Sequence, residues 1–370
     1  MHMKKSTKTL CNCITIALLL VFLLYMETQQ TTQGMAVSIL QKSAILAVAA
    51  VSMNLLNGFT GLFSLGQAGF MAIGAYVTAI LTIPASKIEA VYYMNGVAPW
   101  IMSLKAALGG IPEVLLIPLA LIGIPVLRLK SDYLAIATLG FSEIIRALIS
   151  SPQMDQITNG SYGVKNIPGF GVSSGFGCLL VPFGIAALCI ILMVLLIRCS
   201  YGRAFKAIRE DEISAEAMGI NLFKHKEMAF VISSFFTAIA GGLLAMYMRS
   251  IEAKTFQIML TYDVLLIVVI GGIGSVSGSV LGAFLVTASK EWWLRFFDNP
   301  LTIGGWQVPL FRTGFRMVIF SLLLMAVVLF WRRGIMGSRE FSWDNIPRFF
   351  AWLKKKFGKK RAGEGGGENA

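Results

Sequence analysis

Charge is what this chain has least of. Asp, Glu, Lys and Arg make up 14% of its 370 residues, against 56% hydrophobic. So few polar groups cannot cover that much apolar surface, which excludes an ordinary soluble domain. Histidine occurs twice, as His2 near the N-terminus and His225 in a basic loop. Neither sits in a nucleophile–base constellation, so the residues argue against an enzyme. The sequence also lacks a G-x-x-x-x-G-K-[ST] phosphate loop. The FGKK near its end has Leu353 where the upstream glycine should stand. A chain without that loop does not cradle nucleotide phosphates by itself, so work must be driven by a partner or a gradient. Cysteine is scarce as well. Cys178, Cys189 and Cys199 lie in or beside one apolar segment, where a thiol behaves as a small hydrophobe. The Cys11-x-Cys13 pair has no second pair nearby, so we assign neither a disulfide framework nor a metal site.

Long apolar runs are abundant. Crossing a hydrocarbon core takes about 20 residues, and ten stretches approach that length or pair up to reach it: Leu10–Met26, Met35–Asn57, Gly61–Ile83, Leu104–Leu127, Asp132–Ile149, Cys178–Ile197, Met228–Met248, Tyr262–Gly271, Val276–Ser289 and Phe315–Trp331. The fold class is therefore an all-α polytopic membrane protein with about ten transmembrane or re-entrant helices. Lys4, Lys5 and Lys8 before the first run resemble a secretory signal. The residues that follow, ETQQTTQG, offer no small-x-small cleavage site, so the run reads as a retained anchor.

Charge placement sets the topology. With the N-terminus inside, about two thirds of the 32 Lys and Arg fall in the N-tail, Arg128–Asp132, Arg198–Glu227 and the segment from Arg332 onward, while acidic residues divide evenly. That is the positive-inside bias, and it places both termini in the cytoplasm. It also explains the net charge of +13 without nucleic acid. In the tail, Phe341–Phe357 interleaves aromatic and basic residues, as a helix resting on anionic lipid would. The Gly/Glu-rich end after Arg361 reads as disordered.

Against this apolar background the stretch YGRAFKAIREDEISAEAMGINLFKHK, Tyr201–Lys226, stands out for dense, ordered charge. Ala204 and Ile208 share one helical face, which Ala215 and Met218 continue. Asp211 is placed to cap a second short helix, and Gly219 to close it in the left-handed conformation. The spacing predicts a helix, a turn and a second helix, basic first and acidic second.

Polar residues within the apolar runs form a second set of candidates. Asn54, Asn57, Ser64 and Gln67 cluster at a joint containing Gly58, Gly61, Gly66 and Gly69; GGIGSVSG, Gly271–Gly278, forms a similar joint that includes Gly274. Glycines here serve either tight helix packing or helix breaks that line a cavity. Glu143 and Arg146, three apart on one predicted helix, either fix two helices or line a path. Lys42, Lys105 and Asp263 sit near predicted outer ends, where snorkelling is expected.

Four segments together resemble one family. GRAFKAIREDEISAEAMGIN is similar to the cytoplasmic coupling loop of ABC importer permeases. NLLNGFTGLFSLGQAGFMAIGAYVTAIL, DYLAIATLGFSEIIRALI and YDVLLIVVIGGIGSVSGSVLGAFL resemble, in order, stretches of the branched-chain amino acid permease family of LivM type. The likeness runs over roughly 35–335, giving a permease core at 32–335 between an N-terminal anchor segment, 1–31, and a basic tail, 336–370. It implies a permease subunit of an ATP-driven importer for Leu, Ile and Val or similar amino acids, in a bacterial inner membrane. The implied partners are a second permease subunit of LivH type, two cytoplasmic ATPases and an extracytoplasmic substrate-binding protein. ATP and Mg would be used by the ATPases, with no cofactor on this chain. Arg203, Arg209, Glu212, Glu216 and Gly219 are the implied coupling residues; Asn57, Ser64, Gln67, Glu143 and Arg146 are the candidates for the path. The alternatives are a permease for urea or another small polar solute, and a gradient-driven transporter built around Glu143.

Overall fold

The computed structural model describes residues 5–29, 33–93, 96–108, 134–170 and 177–294, with short pieces at 302–303, 306–307, 318–322, 325, 334–337 and 340. The chain is all-α apart from one minute hairpin, Thr302–Ile303 paired with Trp306–Gln307, the only sheet among the described residues. The helices are α1 (Lys5–Thr28), α2 (Gly34–Asn54), α3 (Gln67–Thr82), α4 (Ala85–Val91), α5 (Pro99–Leu108), α6 (Leu134–Ile149), α7 (Leu180–Arg198), α8 (Ser200–Glu210), α9 (Glu212–Ala217), α10 (Leu222–Met248), α11 (Ile258–Gly271) and α12 (Val276–Glu291).

Helix α2 forms the centre. Every residue from Ala44 to Asn54 is buried, as expected of a helix that is apolar on all sides. Its alanines let α7, α10, α11 and α12 pack around it. Helices α3 and α10 cross at glycine contacts. A Cβ on Gly74 would stand 2.0 Å from the Ala238 carbonyl oxygen, and one on Gly241 would stand 2.1 Å from that of Met71. Helix α7 buries one stripe, Ala186, Cys189, Met193 and Ile197, and exposes the apolar Leu188, Ile191, Leu192 and Leu195. That exposed apolar face suits lipid or a neighbouring membrane subunit.

Helix α1 is tied to this bundle by Met26, buried with Val37 and Leu179, and by one carboxylate. Glu27 is buried and accepts from the backbone amides of Gly177, Cys178 and Leu179 at 2.7, 2.6 and 2.7 Å. An anion at the start of α7 offsets the unpaired amides and the positive end of the helix dipole.

By length and hydropathy, three described helical segments can cross a membrane: Gly34–Thr60, Leu180–Arg198 and Leu222–Met248. The α11–α12 pair adds a fourth if it is counted as one span, although the chain bends there by 119°. Most of the expected spans Leu104–Leu127 and Phe315–Trp331, and the tail beyond Glu340, lie outside the described residues. Helix α10 begins six residues before the expected span. Asn221 caps it by accepting from the Lys224 amide at 3.0 Å, and Lys226 pairs with Glu212 at 2.6 Å.

Lys42 on α2 pairs with Glu291 on α12 at 2.6 Å, and Asp263 on α11 pairs with Lys290 at 2.7 Å. Partners on neighbouring helices thus share these charges, which stay partly exposed. The Lys105 side chain lies outside the described residues.

Candidate functional site

The charged loop folds from local signals. Helix α8 turns Phe205 and Ile208 inward, both buried, and leaves Arg203 and Lys206 outside. Asp211 ends it in extended conformation and caps α9, accepting from the amides of Ile213 and Ser214 at 2.9 and 3.1 Å. The Ser214 hydroxyl donates to the other carboxylate oxygen at 2.9 Å. The hydrogen bonds from Ser214 and Ile213 hold the Asp211 carboxyl below its usual pKa. A lowered pKa means that the capped form gains stability above the ordinary carboxylate range and loses it as pH falls through the lowered value. Asp211→Asn, which keeps the acceptor, is expected to leave the loop protease-resistant at pH 7, and Asp211→Ala to expose it; equal cleavage of both would remove the cap from the account.

Gly219 closes α9 with φ +83°. Its amide donates to the Glu216 carbonyl at 2.9 Å, and the Ile220 amide donates to that of Ala215 at 3.1 Å. These are the two hydrogen bonds of a Schellman motif. The result is a stiff platform with large apolar side chains facing water: Ile213 is 82% exposed and Met218 83%. Glu216 is exposed beside them, and Glu212 stays half-exposed while paired to Lys226.

The two glycine joints meet beside α8. After Asn54 the α2 chain widens into a π-turn, Leu55–Thr60, ends at Gly61 with φ +78°, and becomes helical again at Gln67. Asn54 is fully buried. Its amide donates to the Ser275 carbonyl at 2.9 Å and the Ser279 hydroxyl at 2.8 Å, while its oxygen accepts from the Gly274 amide at 2.8 Å. A Cβ on Gly58 would stand 2.6 Å from the Gly274 nitrogen, so only glycine permits this approach. Gly274 turns with φ +86°; Gly271 instead packs against Gly278, and Gly66 caps α3 without a positive φ. Asn57 accepts from the Ser64 amide at 3.1 Å, while its own amide nitrogen is buried with no protein partner.

Arg209 turns its side chain toward these joints. Its Nη1 donates to the Gly58 carbonyl at 2.6 Å, and its other terminal nitrogen lies 3.0 Å from Glu210. Lys206 lies 5.5 Å above the Phe59 ring. Glu340, which the sequence did not single out, binds the same place. Its carboxylate accepts from the amides of Val276 and Ser277 at 2.7 and 3.0 Å and from the Ser277 hydroxyl at 2.6 Å. A cavity of about 760 Å³ opens here, bordered by Lys206, Arg209, Glu210, Gly274, Ser277 and Glu340 among others.

Of the remaining path candidates, Ser64 stays at the first joint and the others sit elsewhere. Gln67 is buried and accepts from the Thr237 hydroxyl, which also bonds Ser52 at 2.8 Å; Ser64 is buried as well. Gln67 thus joins α2, α3 and α10 inside the chain. Gln67→Leu is expected to lower thermal stability by about 1 kcal/mol, one lost hydrogen bond. Altered solute preference at unchanged stability would instead place Gln67 on the path. Glu143 and Arg146 pair at 2.7 Å and border a recess of about 310 Å³ with Gln257 and Tyr262. No cluster able to hold a metal ion occurs among the described residues.

An apolar helical bundle with two interrupted helices bonded to a charged, capped loop defines a multi-pass membrane permease. Residues 35–330 match the family described as branched-chain amino acid transport system, permease component, and the chain belongs to that family. It is 34% identical over 305 residues to the high-affinity branched-chain amino acid transport system permease protein LivM of Escherichia coli, covering 74% of this chain and 67% of that one. It is 23% identical over 304 residues to the corresponding LivH of the same organism, covering 80% and 92%. It is also 24% identical over 222 residues to the guanosine ABC transporter permease protein NupQ of Bacillus subtilis, covering 56% and 67%. No solved structure matches the chain.

Proposed function

We propose that this chain is the membrane permease subunit of an ABC importer for branched-chain amino acids. It would lie in a bacterial inner membrane with both termini cytoplasmic and work beside a LivH-type second permease. Two cytoplasmic ATPases that use ATP and Mg would drive it, and an extracytoplasmic binding protein would supply it. This chain would bind neither ATP nor Mg and would carry no cofactor.

The observation that carries this reading is the platform at α8 and α9. A solvated loop has no reason to hold Ile213 and Met218 in water on a helix capped at both ends. A partner groove that covers them gains apolar burial, while exposed charges of the loop, Arg203, Glu212 and Glu216, set its orientation. Asn57 supports the upper half of the reading. A buried donor left unpaired costs about 1–3 kcal/mol, and a break that opens to solute supplies the missing acceptor. The gradient-driven alternative needs a carboxylate free to carry an ion, whereas Glu143 is already held by Arg146.

The test is purification of the tagged full chain in mild detergent, with its companions identified by mass spectrometry. Two ATPases and a second permease are expected. The chain purifying alone, where a control ABC complex survives, would reject the proposal. Competition of leucine uptake by isoleucine and valine, but not by guanosine or urea, is the outcome expected for the solute.

A further inference from the structure

We infer that Arg209 is the strut that carries motion of the cytoplasmic loop to both interrupted helices at once. The inference rests on the coupling role proposed above and assigns that role an internal route. Arg209 is the last basic residue of α8, and its Nη1 donates to the Gly58 carbonyl at 2.6 Å inside the π-turn of α2. Its side chain also fills the space beside two further glycines. A Cβ on Gly274 would stand 2.9 Å from the same Nη1, and one on Gly61 would stand 3.0 Å from Cγ of Arg209. Gly58 and Gly274 in turn touch each other, and Asn54 bonds the second joint through the Gly274 amide and the Ser275 carbonyl. One guanidinium therefore touches both breaks where they are already locked together.

The geometry has a mechanical consequence. Displacement of α8 cannot leave the joints in place unless the Arg209–Gly58 hydrogen bond breaks, and a charged donor on a carbonyl is among the stronger hydrogen bonds. Helix α8 is well anchored to transmit such a displacement, since Phe205 and Ile208 are buried beneath it. Arg209 is a positioning residue: it acts on the path through Gly58 and Gly274. Lysine at this position carries one ammonium where arginine carries a fork, so it can bond Gly58 but cannot also reach Glu210 in the same plane.

The experiment is reconstitution of the whole transporter, comparing wild type, Arg209→Lys and Arg209→Ala for solute moved and ATP hydrolysed. Arg209→Ala is expected to retain its ATPases on purification and to hydrolyse ATP, while solute moved per ATP falls at least tenfold; Arg209→Lys should recover part of that ratio. An Arg209→Ala complex that holds its ATPases and keeps the wild-type ratio would overturn the inference. So would loss of the ATPases from both variants, because it would make Arg209 a docking contact. Wild-type protein in which ATP drives no uptake would instead reject the coupling role itself.

Discussion

Replacing Asn54 with leucine is expected to abolish uptake and to destabilise the bundle measurably. The side chain is fully buried and makes three hydrogen bonds to the second joint. Leucine fills a similar volume but leaves the Gly274 amide without an acceptor. The Ser275 carbonyl fares better, because the Ser279 hydroxyl also donates to it at 3.1 Å. One stranded amide at about 1–3 kcal/mol and two lost hydrogen bonds near 1 kcal/mol each give a loss of about 3–5 kcal/mol. The consequence for transport is separate. Without Asn54 the hydrogen bonds that join the α2 break to the α11–α12 break are gone, and only the Gly58–Gly274 contact and the Arg209 side chain still connect the two. Thermal melting in detergent reads the first effect and uptake corrected for protein amount reads the second. Wild-type values for both would show that the two joints act independently.

The second large effect is at Gly219. Proline there has no amide to donate to Glu216, and its ring fixes φ near −65° where the chain needs +83°. The Schellman motif cannot form, α9 loses its C-terminal closure, and the exposed Met218 at its end loses its fixed position. Gly219→Pro is expected to insert in the membrane but to lose its ATPases on purification and all ATP-driven uptake. Gly219→Ala meets no neighbouring atom within 4 Å, so only the left-handed backbone opposes it, by about 1–2 kcal/mol. It should keep its partners with reduced uptake. Full uptake by the proline variant would show that α9 is not the docking element.

The contrast between these two sites shows what the sequence carried. The loop was legible because its signals are local: Asp211 caps amides two and three residues on, and Gly219 closes a helix that starts seven residues before it. The joints were legible as places, since glycine clusters inside apolar runs mark either breaks or tight packing. What the joints touch was not legible. Asn54 meets Ser275 across 221 positions and Arg209 meets Gly58 across 151, and no periodicity reports contacts at that range. For the same reason the partners of Lys42 and Asp263, Glu291 and Lys290, could not be named from the sequence. Glu27 and Glu340 look like ordinary flanking acids in the sequence, yet each satisfies the start of a distant helix. Gln67 shares the glycine joint in the sequence, and only the fold shows that it also joins α2, α3 and α10.

The most direct test of the account is leucine uptake into vesicles carrying the reconstituted complex, with ATP and Mg enclosed on the loop side and ionophores present to collapse every gradient. Uptake that requires ATP, survives the ionophores and disappears in Gly219→Pro is the predicted result. Uptake that ignores ATP and vanishes with the gradients would contradict it.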